Sequence, residues 1–206
     1  MIYAKTKKNK NDKEIVPYSK EWLKVSELQQ ILSMSDLSEK YEVWVSLLYY
    51  PALRVSEALN IRVRDIDFIN NCVEIYNAKG VYDHDLRKAP LPKEAQKTLS
   101  RYIKNHNLKP DDYIMFSNKA SQVSRSHVYV VVGELCKHAG VDKCIGTHTF
   151  RRSRAQHLLD SGVPLITVSR YLRHKSIETT MHYLHYSIED LQKELSKHDE
   201  PMQKVI

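Results

Sequence analysis

The sequence predicts an α+β domain, mainly α-helical, with a small three-stranded antiparallel sheet inserted early. Three observations carry this expectation. Apolar residues recur at helical spacing on either side of the sheet, short strand-forming runs meet across the turn pair Asn70-Asn71, and proline and glycine punctuate the later segments where helices begin and end.

With 206 residues and 42% hydrophobic content, the chain can bury one substantial core but hardly two. The first helix is expected from Val25, because Val25, Leu28, Ile31 and Leu32 fall on one face. A second face follows through Tyr41, Trp44, Val45 and Leu48, and Pro51, which has no amide hydrogen to donate, ends it. A short helical piece spans Ser56 to Asn60. Strands are expected at Ile66 to Phe68, at Val73, Ile75 and Tyr76, and, across a loop holding Lys79-Gly80, at Arg87 to Leu91. Pro92 suits the start of a helix carrying Ala95, Leu99, Tyr102 and Ile103. Gly140 and Gly162 sit where C-terminal caps belong, Pro164 opens the next helix at its first position, and Ser176 is the N-cap of the segment carrying Tyr183. Ile188, Leu191 and Leu195 mark one side of a last amphipathic helix, and Tyr49, Tyr50 and Tyr171 read as core or interface aromatics.

Composition narrows the function classes. No run of about 18 apolar residues exists, and the lysine-rich start lacks the apolar stretch of a secretory signal. A soluble protein with no membrane partner is therefore expected, either cytoplasmic, and nucleoid-associated if prokaryotic, or virus-encoded and intracellular. Cys72, Cys136 and Cys144 form no C-x-x-C pair and read as reduced thiols. The ten histidines include no H-E-x-x-H, and neither a P-loop nor clustered carboxylates are present, so no metal and no cofactor is expected. The net charge of +7 favours a polyanionic partner, since lysine and arginine on phosphates release condensed counterions. Charge alone does not separate nucleic acid from an acidic protein.

Three stretches concentrate the chemistry: Ala52-Leu53-Arg54-Val55-Ser56-Glu57, His148-Thr149-Phe150-Arg151, and Leu172-Arg173-His174 with Tyr183 nine residues after the histidine. Their residue types suit attack on a phosphodiester, whose charge repels nucleophiles and whose in-line transition state gathers charge on the nonbridging oxygens. Arg54 and Arg151 offer planar donor forks for those oxygens. A tyrosine, with a pKa of about 10, becomes nucleophilic once its proton is removed or nearby cations stabilise its phenolate. Chemistry alone does not choose among thirteen tyrosines, and Tyr186 stands three residues from Tyr183.

In order and spacing these stretches resemble the tyrosine recombinase, or phage integrase, family over about Ser26 to Ser187, with His157-Leu158-Leu159 and Gly162-Val163-Pro164 also at the family's intervals. The resemblance implies site-specific cleavage and rejoining of DNA strands through a 3′-phosphotyrosyl intermediate, without ATP, metal or other cofactor. It implies that Arg54, Arg151 and His174 hold the scissile phosphate, that His148 accepts a proton, and that Tyr183, selected by its interval from His174, is the nucleophile. The resemblance further implies that a lysine in the sheet turn, best matched by Lys79 with Lys88 nearby, protonates the leaving 5′ oxygen, and that Glu57 orients the cluster. The implied partner is double-stranded DNA at a specific site. Exchange between two duplexes needs four nucleophiles, so a homo-tetramer is expected on DNA and a monomer or weak dimer in solution.

Two positions depart from the family pattern. The glycine usual before the second histidine is Arg173, which bears on the local geometry because glycine permits close backbone approach. Arg152 follows H-x-x-R where histidine is common, with Arg154 close behind. These added arginines suit either phosphate contact or a solvated face. The expected organisation is a basic arm over residues 1–20, a catalytic domain over 21–186 and a C-terminal helix and tail over 187–206. The arm reads as a solvated tail or a DNA contact, and the last helix either covers its own core or docks on a neighbouring subunit. About 24 residues precede the first core helix, where family members commonly carry a DNA-clamping domain of roughly a hundred. Weaker DNA affinity and selectivity than a full clamp is the expectation. Two other readings stand beside recombination: a type IB topoisomerase-like or hairpin-resolving strand transferase, and a non-catalytic DNA-binding regulator.

Overall fold

Helices form where the apolar stripes begin. The computed structural model describes residues 21–75, 87–117, 122–143, 145–174 and 176–184, together with Gln192 and Ser196. Helix α1 (Val25–Leu32) turns Leu28 and Ile31 inward, and α2 (Glu39–Tyr49) buries every residue from Val43 to Tyr49. A helix so fully buried belongs at the centre. It packs against α4 (Lys93–Asn105) and α6 (Thr147–Asp160).

Between α2 and α4 lie α3 (Val55–Asn60) and the sheet of β1 (Ile66–Asp67), β2 (Cys72–Ile75) and β3 (Arg87–Pro90). The strands are antiparallel in the order β1-β2-β3, with Val73 opposite both Ile66 and Ala89. Phe68 falls in the turn rather than the strand. Asp67 accepts the main-chain N–H groups of Ile69 and Asn70 at 3.0 and 2.8 Å, which closes the chain one residue early. Asn71 then takes a left-handed φ of 55°, a conformation asparagine tolerates well. The expected loop with Lys79, the basic arm over 1–20, and Tyr186, Ile188, Leu191 and Leu195 lie outside the described residues.

The remaining helices are α5 (Arg125–His138), α7 (Leu165–Tyr171) and α8 (Ile177–Leu184). Gly140 and Gly162, at φ of 74° and 82°, follow α5 and α6 as left-handed caps. Pro164 is the N-cap of α7 rather than its first residue: its backbone is extended while its carbonyl accepts from Thr167 and Val168. Ser176 Oγ accepts the Thr179 N–H at 3.3 Å, as an N-cap does. Among the described residues, no helix is long and apolar enough to cross a membrane.

Two apolar clusters result. The larger runs from Leu23 through Trp44 and Tyr102 to Phe150. The smaller gathers Ala52, Ala155, Val168, Leu172 and Leu184, joining α6, α7 and α8 to the loop before α3. Burying Ala52, Leu172 and Leu184 together draws their chain neighbours Arg54, Arg173, His174 and Tyr183 to one place.

Candidate active site

Arg54 is the N-cap of α3, with an extended backbone at φ −67° and ψ 149°. Glu57, in the first turn, accepts the Arg54 main-chain N–H at 2.8 Å and Arg54 Nη1 at 2.6 Å. A carboxylate there serves the unpaired N–H groups and positive end of the helix as well as the side chain. Arg151, on α6, is 1% exposed, and its two Nη atoms donate to the carbonyls of Ala52 and Leu172. It therefore ties the loop entering α3 to the loop leaving α7. Glu57 Oε2 also lies 2.9 Å from Arg173 Nη2 and 3.8 Å from Arg151 Nη1, so one carboxylate faces three guanidinium groups.

Arg173 and Arg154 fit neither role expected of them. Arg173 is 9% exposed and turns inward, donating to the carbonyls of Pro51, Tyr171 and Ala52 at 3.2, 3.1 and 3.2 Å besides Glu57. Its φ of 55° retains the left-handed conformation that glycine favours, at a cost in strain for a residue with a Cβ. The Arg154 guanidinium stands 5.3, 6.0 and 5.9 Å from the ring centroids of Tyr49, Tyr50 and Tyr171, an aromatic enclosure suited to a cation. Arg152 stands at the tyrosine, 5.1 Å from the centroid of the Tyr183 ring.

Tyr183 reaches the cluster from α8. Its hydroxyl donates to the main-chain carbonyl of His148 at 3.2 Å, so the structure joins residues 183 and 148 through the backbone and not through the imidazole. The His174 and Tyr183 rings meet edge to face, with centroids 5.5 Å apart. His174 Nδ1 lies 2.8 Å from Oγ1 of Thr180, which is fully buried, and this engagement leaves Nε2 as the nitrogen available to a ligand. Sequence reading missed Thr180 and the inward turn of Arg173. The signal for Thr180 was its place one turn before Tyr183 on the same helix. Lys79 lies outside the described residues.

Crowded cations and burial set the protonation states. Burial raises the Tyr183 phenol above its ordinary value, against the pull of Arg151, Arg152 and Arg54. Burial, then Arg151, Arg125, Arg54 and Arg152, lowers His148. His174 is pushed down to about 4 by burial first and then by Arg151, Arg54 and Arg173, with Glu57 opposing. Burial would raise Glu57, but Arg173, the Arg54 N–H, Arg151 and the Arg54 side chain outweigh it and hold the carboxyl below its usual range.

The His174 shift makes a prediction. An unfolded histidine binds its proton near pH 6.5, so between about 6.5 and about 4 the unfolded chain holds more protons and stability falls as pH drops. An NMR titration of the His174 ring should find its midpoint well below 6.5 in the free protein. Bound DNA should raise that midpoint, because a phosphate anion favours the imidazolium. A free-protein midpoint at or above 6.5 would show that burial and the arginines together do not depress this ring.

The arrangement presents donors and cations to an anion, with a hydroxyl beside them. Among the described residues, no three His, Cys, Asp or Glu side chains gather to hold a metal ion. The profile of the phage integrase family matches residues 21–189. A tyrosine recombinase of Pseudothermotoga lettingae is 35% identical over 165 residues, covering 80% of this chain and 56% of its own length. Tyrosine recombinase XerC of Anoxybacillus flavithermus is 28% identical over 176 residues, covering 80% and 57%. The chain thus spans little more than half the length of these relatives. A crystal structure of XerA recombinase superposes with a TM-score of 0.75 at 24% identity, over 87% of this chain and 64% of that one. XerH site-specific recombinase bound to difH substrate, in a pre-cleavage complex, superposes at 0.68 and 24% identity, over 85% and 53%. The structural likenesses identify the fold, that of a tyrosine recombinase catalytic domain, and because the profile matches most of the chain on that fold, this protein belongs to the phage integrase family of tyrosine recombinases.

Proposed function

We propose that this protein is a site-specific DNA recombinase or integrase that breaks and rejoins strands through Tyr183. The observation that carries the reading is the convergence of the Tyr183 hydroxyl, His174 and the Arg54–Arg151–Glu57 cluster from four separate segments of the chain. The Tyr183 oxygen attacks the phosphorus, the bond from phosphorus to the 5′ oxygen breaks, and a 3′-phosphotyrosyl bond forms. The phenolic proton passes to the His148 imidazole, which in the free protein does not hold the Tyr183 hydroxyl, since that hydroxyl donates to the His148 main-chain carbonyl. Arg54, Arg151 and Nε2 of His174 offset the charge gathering on the nonbridging oxygens. A 5′ hydroxyl of a partner strand then reverses the step, so the phosphodiester's energy is conserved and the chemistry needs neither ATP nor metal. Residues 21–186 form the catalytic unit, which acts in the cytoplasm on duplex DNA as a tetramer and is a monomer or weak dimer when free.

The test is incubation of the full chain with nicked suicide duplexes followed by denaturing electrophoresis. A covalent shift is expected, and its absence would point to a DNA-binding regulator instead. Relaxation of supercoiled DNA without exchange between two duplexes would assign the topoisomerase-like reading. The leaving 5′ oxygen takes its proton from Lys79. Lys88 lies 3.2 Å from Glu74 and is already paired. A substrate with sulfur in place of the leaving 5′ oxygen needs little protonation, so it should restore cleavage by Lys79→Ala and not by Arg54→Ala. Restoration of Lys88→Ala instead would move the acid to Lys88.

A further inference from the structure

Arg173 holds a charge at the site that the proposed reaction does not use. Of the three guanidinium groups around Glu57, that of Arg54 has a side chain 36% exposed, while those of Arg151 and Arg173 are buried. Arg54 is thus the most exposed of the three to an incoming phosphate. Yet its Nη1 is held by Glu57 at 2.6 Å, and a phosphate must compete with that carboxylate for the same donors. Were Arg54 the main partner of Glu57, moving it onto DNA would leave a largely desolvated carboxylate poorly compensated, which is costly.

We propose that Arg173 is a positioning residue, the standing counterion of Glu57, which frees Arg54 to engage the scissile phosphate. Four contacts support this. Besides Glu57 at 2.9 Å, Arg173 donates to the carbonyls of Pro51, Tyr171 and Ala52. A guanidinium anchored to three carbonyls stays in place when Arg54 turns away, and its charge stays on Glu57. Arg151, at 3.8 Å from Glu57, does not make the same close contact. In the family pattern this position is usually glycine, so the counterion is a feature of this chain's own sequence. The inference rests on the proposed role of Arg54 as a phosphate-binding residue.

Arg173→Gly isolates the side chain, because the backbone at φ 55° is one that glycine adopts without strain. Groups that orient a functional residue cost about 10- to 100-fold when removed, and a loss of that order is expected in the rate of covalent adduct formation by the full chain. The same substitution made in Glu57→Gln should cost much less, since a neutral amide needs no counterion and the two changes act on one contact. An equal loss in both backgrounds would overturn the proposal, because the carbonyl contacts, and not the carboxylate, would then be what matters. A wild-type rate for Arg173→Gly would overturn it as well. If the glycine variant is unfolded at the assay temperature, Arg173→Met, which keeps the aliphatic stem and removes the charge, gives the same comparison. Failure of the site reading looks different: adducts that persist in Tyr183→Phe would sink that reading whatever Arg173 does.

Discussion

Tyr183→Phe is expected to abolish the covalent DNA adduct while leaving DNA binding nearly intact. The substitution removes one oxygen and keeps a ring that stands 5.5 Å from the His174 ring and 5.1 Å from the Arg152 guanidinium, so the packing around it survives. The hydrogen bonds lost are the one to the His148 carbonyl and the one with the Arg151 side chain, each at a net cost to stability of about 1 kcal/mol. The Thr180 hydroxyl, 2.8 Å from His174 Nδ1, is fully buried and already engaged there. Tyr186→Phe should still cleave. Denaturing electrophoresis for adducts, alongside a binding titration under native conditions, separates the two effects. Adducts surviving in Tyr183→Phe and vanishing in Tyr186→Phe would transfer the nucleophile to Tyr186.

Arg54→Ala and Arg151→Ala are each expected to slow adduct formation by about 10² to 10³-fold, the effect of deleting one preorganised transition-state donor. Their stabilities should diverge. Arg54 is 36% exposed, and its removal leaves Glu57 with Arg173, so the fold should change little. Arg151 is buried, and its removal takes donors from the Ala52 and Leu172 carbonyls as well as a cation from beside Glu57. Breaking a buried charged network by deleting one member costs about 3–5 kcal/mol. Chemical denaturation should therefore show a large loss for Arg151→Ala alone. Equal stability of the two variants would mean that the Arg151 fork does not hold the two loops together.

Much of the fold was legible because its signals are local. Val25, Leu28, Ile31 and Leu32 announce α1 by their spacing, and Gly140 and Gly162 mark the ends of α5 and α6 by the one conformation that residues with a Cβ rarely adopt. Misreadings were of a residue or so, as at Pro164 and Phe68, where capping and an aspartate turn decide the boundary and the period does not. The candidate residues Arg54, Glu57, Arg151, His174 and Tyr183 were chosen by order and spacing, and the tertiary structure brings them to one place.

The fold class and the three motif segments were legible in the chain, since periodicity and order are its own properties, whereas preferring Tyr183 to Tyr186 rested on the family resemblance through the interval from His174. Where the added arginines point is set by packing between distant segments. Arg154 turns into the enclosure of Tyr49, Tyr50 and Tyr171, and Arg173 turns inward to Glu57, although a basic residue beside a phosphate-binding motif reads equally well as a DNA contact. The direction of a long, charged side chain depends on which carboxylates, carbonyls and ring faces lie within its reach. Apart from Tyr171, those partners include Glu57, Pro51, Ala52 and Tyr49, more than a hundred residues away in the chain, and they become neighbours only when α2, α3, α6 and α7 have packed.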